Sequence, residues 1–167
     1  MSINRMNSLA VRFCRLGICL AFSVLIAAVL LQVLGRTFGS SPVWTEELTR
    51  YALLYLAAFG VGLSLRSGEL VNVDVFCEAL PGNWPWRLRV FSTTTTVVIC
   101  LVLLGPAWKY TSIGARQTSP AMGLRMDFVH ASILIMLVFL LIFAALRLAA
   151  MLLNGDTGLP QKPDGDA

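Results

Sequence analysis

The polar residues with chemical potential in this chain fall into two small groups. Glu46, Glu47 and Arg50 stand together beside Trp44; Arg66, Glu69 and Asp74 stand about one helix-length further on, and no charged residue lies between Arg50 and Arg66. On a helix both acids reach Arg50, Glu46 at i+4 and Glu47 at i+3. Read locally, this is an acid pair at a helix start with a salt bridge worth roughly 0.2–0.5 kcal/mol. Read functionally, the cluster contacts another polypeptide in a half-buried setting, where charge pairs cost more to break. Covalent or hydrolytic chemistry has no support: no nucleophile–base pair, phosphate-binding glycine loop or metal spacing can be assembled, so no catalytic, cofactor-binding or metal residue is expected. The four cysteines, Cys14, Cys19, Cys77 and Cys100, form no CxxC pair and read as small apolar fillers. His130 is the single histidine, which excludes bis-histidine haem ligation within one chain.

The elements that must carry these groups follow from composition. The chain is 57% hydrophobic and only 13% charged, where a soluble domain carries about 25% charged residues. Its mean hydropathy of +0.76 agrees. The fold class expected is an all-α integral membrane protein. The net charge of +4 fits basic residues kept at membrane-span ends and does not indicate nucleic-acid binding.

Four spans can be read, at about 16–34, 42–65, 88–108 and 128–153. Residues 1–15 form a basic N-terminal segment with Arg5, Arg12 and Arg15. The first span lacks a convincing small-residue cleavage site and reads as uncleaved. Ser41 and Pro42 read as N-cap and first helical position of the second span. Along that span Ala58/Gly62 and Gly60/Ser64 are small-xxx-small pairs suited to close helix packing. Residues 70–80 are too short and too polar to cross, and read as an amphipathic helix on the membrane surface. Pro81-Gly82 stops it, and Trp84 and Trp86 mark an interface.

The third span contains Ser92 and the run Thr93 to Thr96. Their hydroxyls can bond to carbonyls one turn back, or mark a helix–helix contact. Gly114 to Met126 reads as a loop, and Asp127 as the cap of the fourth span. Asn154-Gly155 ends that helix, and residues 154–167 read as a disordered cytoplasmic tail. With both termini inside, the inner segments hold eight Lys and Arg against five outside, so the expected topology is N-in and C-in.

No Asp, Glu, Lys or Arg falls near the centre of a span. Pumps and small exporters need such a group to bind the coupling ion or cation, so the chain is not expected to transport alone. The alternatives are a helper subunit of an unrelated membrane complex or a self-sufficient small exporter. A quinone or thiol oxidoreductase would need paired cysteines or several histidines.

Three phrases carry a family resemblance. Trp44-Thr45-Glu46-Glu47-Leu48-Thr49-Arg50-Tyr51 resembles the W-x-E-E-x-x-R-Y/F phrase of the small membrane subunits (DctQ-like small permeases) of tripartite ATP-independent periplasmic (TRAP) transporters. Arg66-Ser-Gly-Glu69-Leu-Val-Asn-Val-Asp74 resembles their R-x-G-E-H-I-x-V-D phrase, and Ser119-Pro120-Ala121-Met122-Gly123 their S-P-A-L-G phrase. The order and span positions agree over about Leu16 to Leu153. Leu70 replaces the usual histidine. After Gly123 the chain reads Leu-Arg125-Met-Asp127-Phe-Val-His130 where the family commonly has I-P-M-W-W-V-Y.

The resemblance implies a scaffold subunit in the bacterial inner membrane. It would pair with a large many-span subunit that holds the substrate and sodium sites, while a periplasmic binding protein delivers an organic anion of carboxylate or sialic-acid type. No cofactor is expected in this chain; sodium belongs to the large subunit. Trp44, Glu46, Glu47 and Arg50 are then expected at the outer junction with that subunit. Arg66, Glu69 and Asp74 are expected to hold the inner end, and the loop at Ser119 and Pro120 to touch the binding protein.

Overall fold

The computed structural model describes residues 3–40, 42–67 and 84–153. Four helices make up nearly all of it: α1 (Ile3–Thr37), α2 (Trp44–Ser67), α3 (Trp84–Gly114) and α4 (Met126–Leu153). Each is long and apolar enough to cross a membrane. The amphipathic helix expected at 70–80, Glu69, Asp74, Cys77 and the 154–167 tail lie outside the described residues, as does Ser41.

The helices overrun the apolar windows at several ends. α1 starts at Ile3 rather than near Leu16, because no Gly or Pro interrupts 3–16 and arginines are good helix formers. α3 reaches from Trp84 to Gly114, with Pro106 inside it. α2 starts at Trp44, so Pro42 is not its first helical residue. Pro42 instead offers its carbonyl to the Thr45 N–H (3.2 Å) and hydroxyl (2.6 Å). Asp127 lies inside the first turn of α4 rather than capping it from outside.

Neighbour relations run α1–α2–α4–α3, with a smaller α1–α4 contact; among the described residues α3 has backbone neighbours only on α4. Because alternate helices run in opposite directions, the central pair, α2 and α4, is parallel. One stripe of α2 makes this seam: Glu47, Tyr51, Tyr55, Ala58, Gly62 and Leu65, each three or four residues from the next. Along it the Tyr51 hydroxyl lies 3.7 Å from Met126 Sδ, and the Tyr55 hydroxyl donates to the Phe128 carbonyl at 2.6 Å. Phe59 packs against Phe139 with ring centroids 5.7 Å apart. Further along, Leu65 joins Val11 and Cys14 of α1 and Phe143 and Ala144 of α4 in one buried cluster, with Val97 of α3 against it. A second cluster, Cys100, Ala107 and Leu137, joins α3 to α4.

In lipid, burying apolar surface supplies no net drive, so helix association rests on close packing and polar contacts. Gly62 shows how close the packing is. A Cβ there would fall 2.8 Å from the Phe143 ring and 3.2 Å from Phe139 Cβ, whereas a Cβ at Gly60 would meet nothing within 4 Å. The two small-residue pairs therefore do different things. Ala58 and Gly62 are buried on the α4 side. Gly60 and Ser64, the second small-residue pair, lie about 160° round the helix from Gly62, and among the described residues no helix closes on Gly60 as α4 does on Gly62. Ser64 is half-buried and already engaged, and its carbonyl accepts from the Ser67 hydroxyl at 3.3 Å in the last turn of α2. Three of the four threonines of the run bond within the helix: Thr93, Thr95 and Thr96 each donate to the carbonyl four residues back at 2.8–3.0 Å.

Gly62→Ala should cost about 1–3 kcal/mol through overpacking. Gly60→Ala should be neutral, or gain up to about 1 kcal/mol from helix propensity. Thermal unfolding of the detergent-purified variants checks the order, and equal melting temperatures would refute the packing assignment.

Candidate functional site

The site is built where the start of α2 meets the α3–α4 loop. The loop is short and self-bonded. Ser119 N–H donates to the Leu124 carbonyl (2.7 Å), Gly123 N–H to the Ser119 carbonyl (3.0 Å) and Met126 N–H to the Gln117 carbonyl (2.9 Å). Thr118 and Arg125 pair as an antiparallel bridge. Gly123 closes the turn at φ +64°, a conformation that suits glycine and penalises β-branched residues.

This turn wraps the Glu47 carboxylate. The Ser119 hydroxyl donates to Oε2, the Met122 N–H donates to the same oxygen (3.2 Å), and the Ala121 N–H donates to Oε1 (3.3 Å). Ser119 Oγ in turn accepts from the Met122 N–H at 3.2 Å, and Ser119 is buried. A carboxylate is acceptor-only and can take several such bonds, so it suits a turn whose N–H groups converge.

Glu46, one residue earlier and about 100° round the helix, faces α1. Gln32 Nε2 donates to its Oε1 at 3.3 Å, and the Arg36 guanidinium lies 3.6 Å from the same oxygen. Neither acid pairs with Arg50. The local i+3 and i+4 pairs expected from spacing do not form; Glu47 is turned to three donors of the 119–122 turn and Glu46 to Gln32 and Arg36 of α1. Arg50 is exposed and makes no ion pair among the described residues. It lines an open cleft with Val43, Trp44, Glu46, Glu47, Pro120 and Ala121.

The structure thus brings Trp44, Glu46, Glu47, Arg50, Ser119 and Pro120 to one end. Arg66 lies at the opposite end of α2, half-buried and engaged. The Ser119 side chain points inward, while Pro120 is exposed. The two charges that set this chain apart after Gly123 satisfy each other: Arg125 donates to Asp127 Oδ2 at 2.6 Å, and Asp127 Oδ1 accepts from the Phe128 N–H at 3.0 Å.

One contributor escaped the sequence reading. His130 is buried, stacks on Tyr110 with centroids 4.0 Å apart, and contacts the Tyr110 carbonyl through Nδ1 at 3.2 Å. It fixes the end of α3 against the start of α4 and so sets the loop. An imidazole one turn into an apolar span needs a polar partner, and that signal was available.

Four apolar helices, with an open cleft at one end, define a multi-pass membrane protein with no assembled reaction centre among the described residues. The family model for the DctQ component of tripartite ATP-independent periplasmic transporters matches residues 25–154, and the chain belongs to that family. A TRAP transporter small permease protein of Haemophilus influenzae is 24% identical over 132 residues, covering 77% of this chain and 80% of its own length. A second small permease protein from that organism is 26% identical over 92 residues, covering 55% of this chain and 57% of the relative. The sialic acid TRAP transporter permease protein SiaT of Haemophilus influenzae is 30% identical over 86 residues, 49% of this chain but 13% of SiaT. The family is a component of a transporter, not an enzyme.

The turn around Glu47 makes a specific expectation. Gly123→Val should loosen the 118–125 turn and open it to protease, whereas Gly123→Asn, which tolerates positive φ, should not; limited proteolysis reads the difference. Arg36→Ala removes only an exposed pair and should shift stability by less than about 1 kcal/mol, so a larger fall in melting temperature would show that Glu46 holds α1 more strongly than the geometry implies.

Proposed function

We propose that this chain is the small, static scaffold subunit of a TRAP transporter. It pairs with a large many-span subunit for sodium-gradient-driven uptake of an organic anion, of carboxylate or sialic-acid type, handed over by a periplasmic binding protein. Family membership is the observation that carries this reading. Two others support it. No charged residue lies between Arg15 and Arg36, Arg50 and Arg66, Arg89 and Lys109, or Asp127 and Arg147, so no ionisable group stands at mid-depth to bind a coupling ion. The resemblance to SiaT occupies a small part of a much longer permease protein, which supports small-subunit sequence working beside a larger permease body.

In this reading the chain lies in the bacterial inner membrane with both termini inside. The even number of spans supports placing the termini together, and the Lys and Arg balance supports that side. The cleft of Trp44, Arg50 and Pro120 then opens outward at the junction with the large subunit. Arg66, with Glu69 and Asp74, holds the inner end, and the exposed Pro120 edge of the loop is the part available to the binding protein.

The chain reconstituted alone in proteoliposomes should move no solute. Adding the large subunit and its binding protein should give uptake that depends on a sodium gradient. Flux from the chain alone would overturn the scaffold reading.

A further inference from the structure

The outer end of the α2–α4 pair is held by a carboxylate; the inner end presents the opposite charge. Gly62 of α2 sits against the Phe143 ring of α4, and Leu65 shares a buried cluster with Phe143 and Ala144. The two helices are parallel, so one turn further along each stand Arg66 and Arg147, at one level and within about 40° of those contacts. Both are half-buried and engaged. Arg89, in the second turn of α3 at the same end, is buried and engaged as well. Helix dipoles do not account for all three. Arg66 ends a helix, where a cation is favoured, but Arg89 stands near a helix start, where it is not. Guanidiniums gathered in a half-buried setting need an anion among them. Among the described residues Asp and Glu occur only at the outer end, as Glu46, Glu47 and Asp127.

We infer that Arg66, Arg89 and Arg147 form a carboxylate-binding site, and that the connection 68–83 of this same chain supplies its anion, with Asp74 as the shared ligand. Charge and topology select this occupant. The connection carries Glu69, Asp74 and Glu78 and no Lys or Arg, three acids for three guanidiniums. It joins α2 to α3, which share no backbone neighbours among the described residues, and α4 stands between them. The connection therefore has to pass the end of α4 that carries Arg147. Asp74 is seven residues from the end of α2 and ten from the start of α3, the acid nearest the middle of that crossing. A carboxylate has about four lone-pair sites, so it can accept from more than one guanidinium. The inference extends to α3 and α4 the inner-end role given above to Arg66, Glu69 and Asp74. It needs no partner subunit, so its failure and that of the proposed function are separate results.

The test is a double-mutant cycle on the melting temperature of the detergent-purified full chain. Arg147→Met and Asp74→Asn should each lower it by at least about 4 °C. The double variant should lose no more than the larger single loss, because the second change removes a partner already gone. If Arg147→Met does not purify, the same cycle is run with Arg66→Gln. Arg87→Gln, exposed at the same end, should leave the melting temperature unchanged. Losses that add overturn the inference. A basic pocket on this side of a membrane can also take a lipid headgroup. Asp74→Asn would then be silent, and Arg147→Met would lower the melting temperature only when phosphatidylglycerol is added; that result overturns the carboxylate and puts a phosphate in its place.

Discussion

A carboxylate held by a neighbouring turn decides how the two hairpins of this protein meet. Glu47 belongs to the α1–α2 hairpin; the N–H groups and hydroxyl that surround it belong to the loop of the α3–α4 hairpin. In lipid, where apolar surface gains nothing by choosing one neighbour over another, polar contacts at helix ends choose register. With Glu47 seated in the turn, Tyr51, Tyr55, Ala58, Gly62 and Leu65 follow at helical spacing onto α4. The close approach at Gly62 then becomes possible without further adjustment. Glu46, turned the other way, does the corresponding task for α1.

The parallel arrangement of α2 and α4 makes those acids more than a convenience. Two parallel helices place their positive dipole ends side by side, an unfavourable pairing that negative charge near the N-termini relieves. Glu46 and Glu47 on α2 and Asp127 on α4 supply it. Arg125, which would undo part of that effect, is tied to Asp127.

Much of this was legible in the residues, and the failures have a common cause. Span number and approximate position follow from apolar length, because a backbone in lipid must satisfy itself as a helix. The helix ends were less legible, since Arg12 and Arg15 continue α1 where hydropathy falls away. Spacing offered Arg50 as the partner of Glu46 and Glu47. The partners used come instead from α1 and from a loop 72 to 75 residues distant in sequence, which no local rule can see. Both Ala58/Gly62 and Gly60/Ser64 satisfied the small-residue pattern, and only the direction of α4 separates a buried glycine from an open one. His130 is the single histidine, and nothing in its spacing names Tyr110, the partner it meets twenty residues earlier in the chain.

The neighbour order also bears on how the chain is made. α3 leaves the ribosome before α4 exists, and among the described residues it finds backbone neighbours on no earlier helix. The stretch from Gly114 to Leu153 takes roughly 2–8 s to synthesise at ordinary translation rates. For that time α3 waits in the bilayer without the helix it mainly packs on, so its polar run has to be tolerable there without α4. Hydroxyls already folded back onto carbonyls of their own turn, at Thr93, Thr95 and Thr96, meet that requirement before α4 arrives.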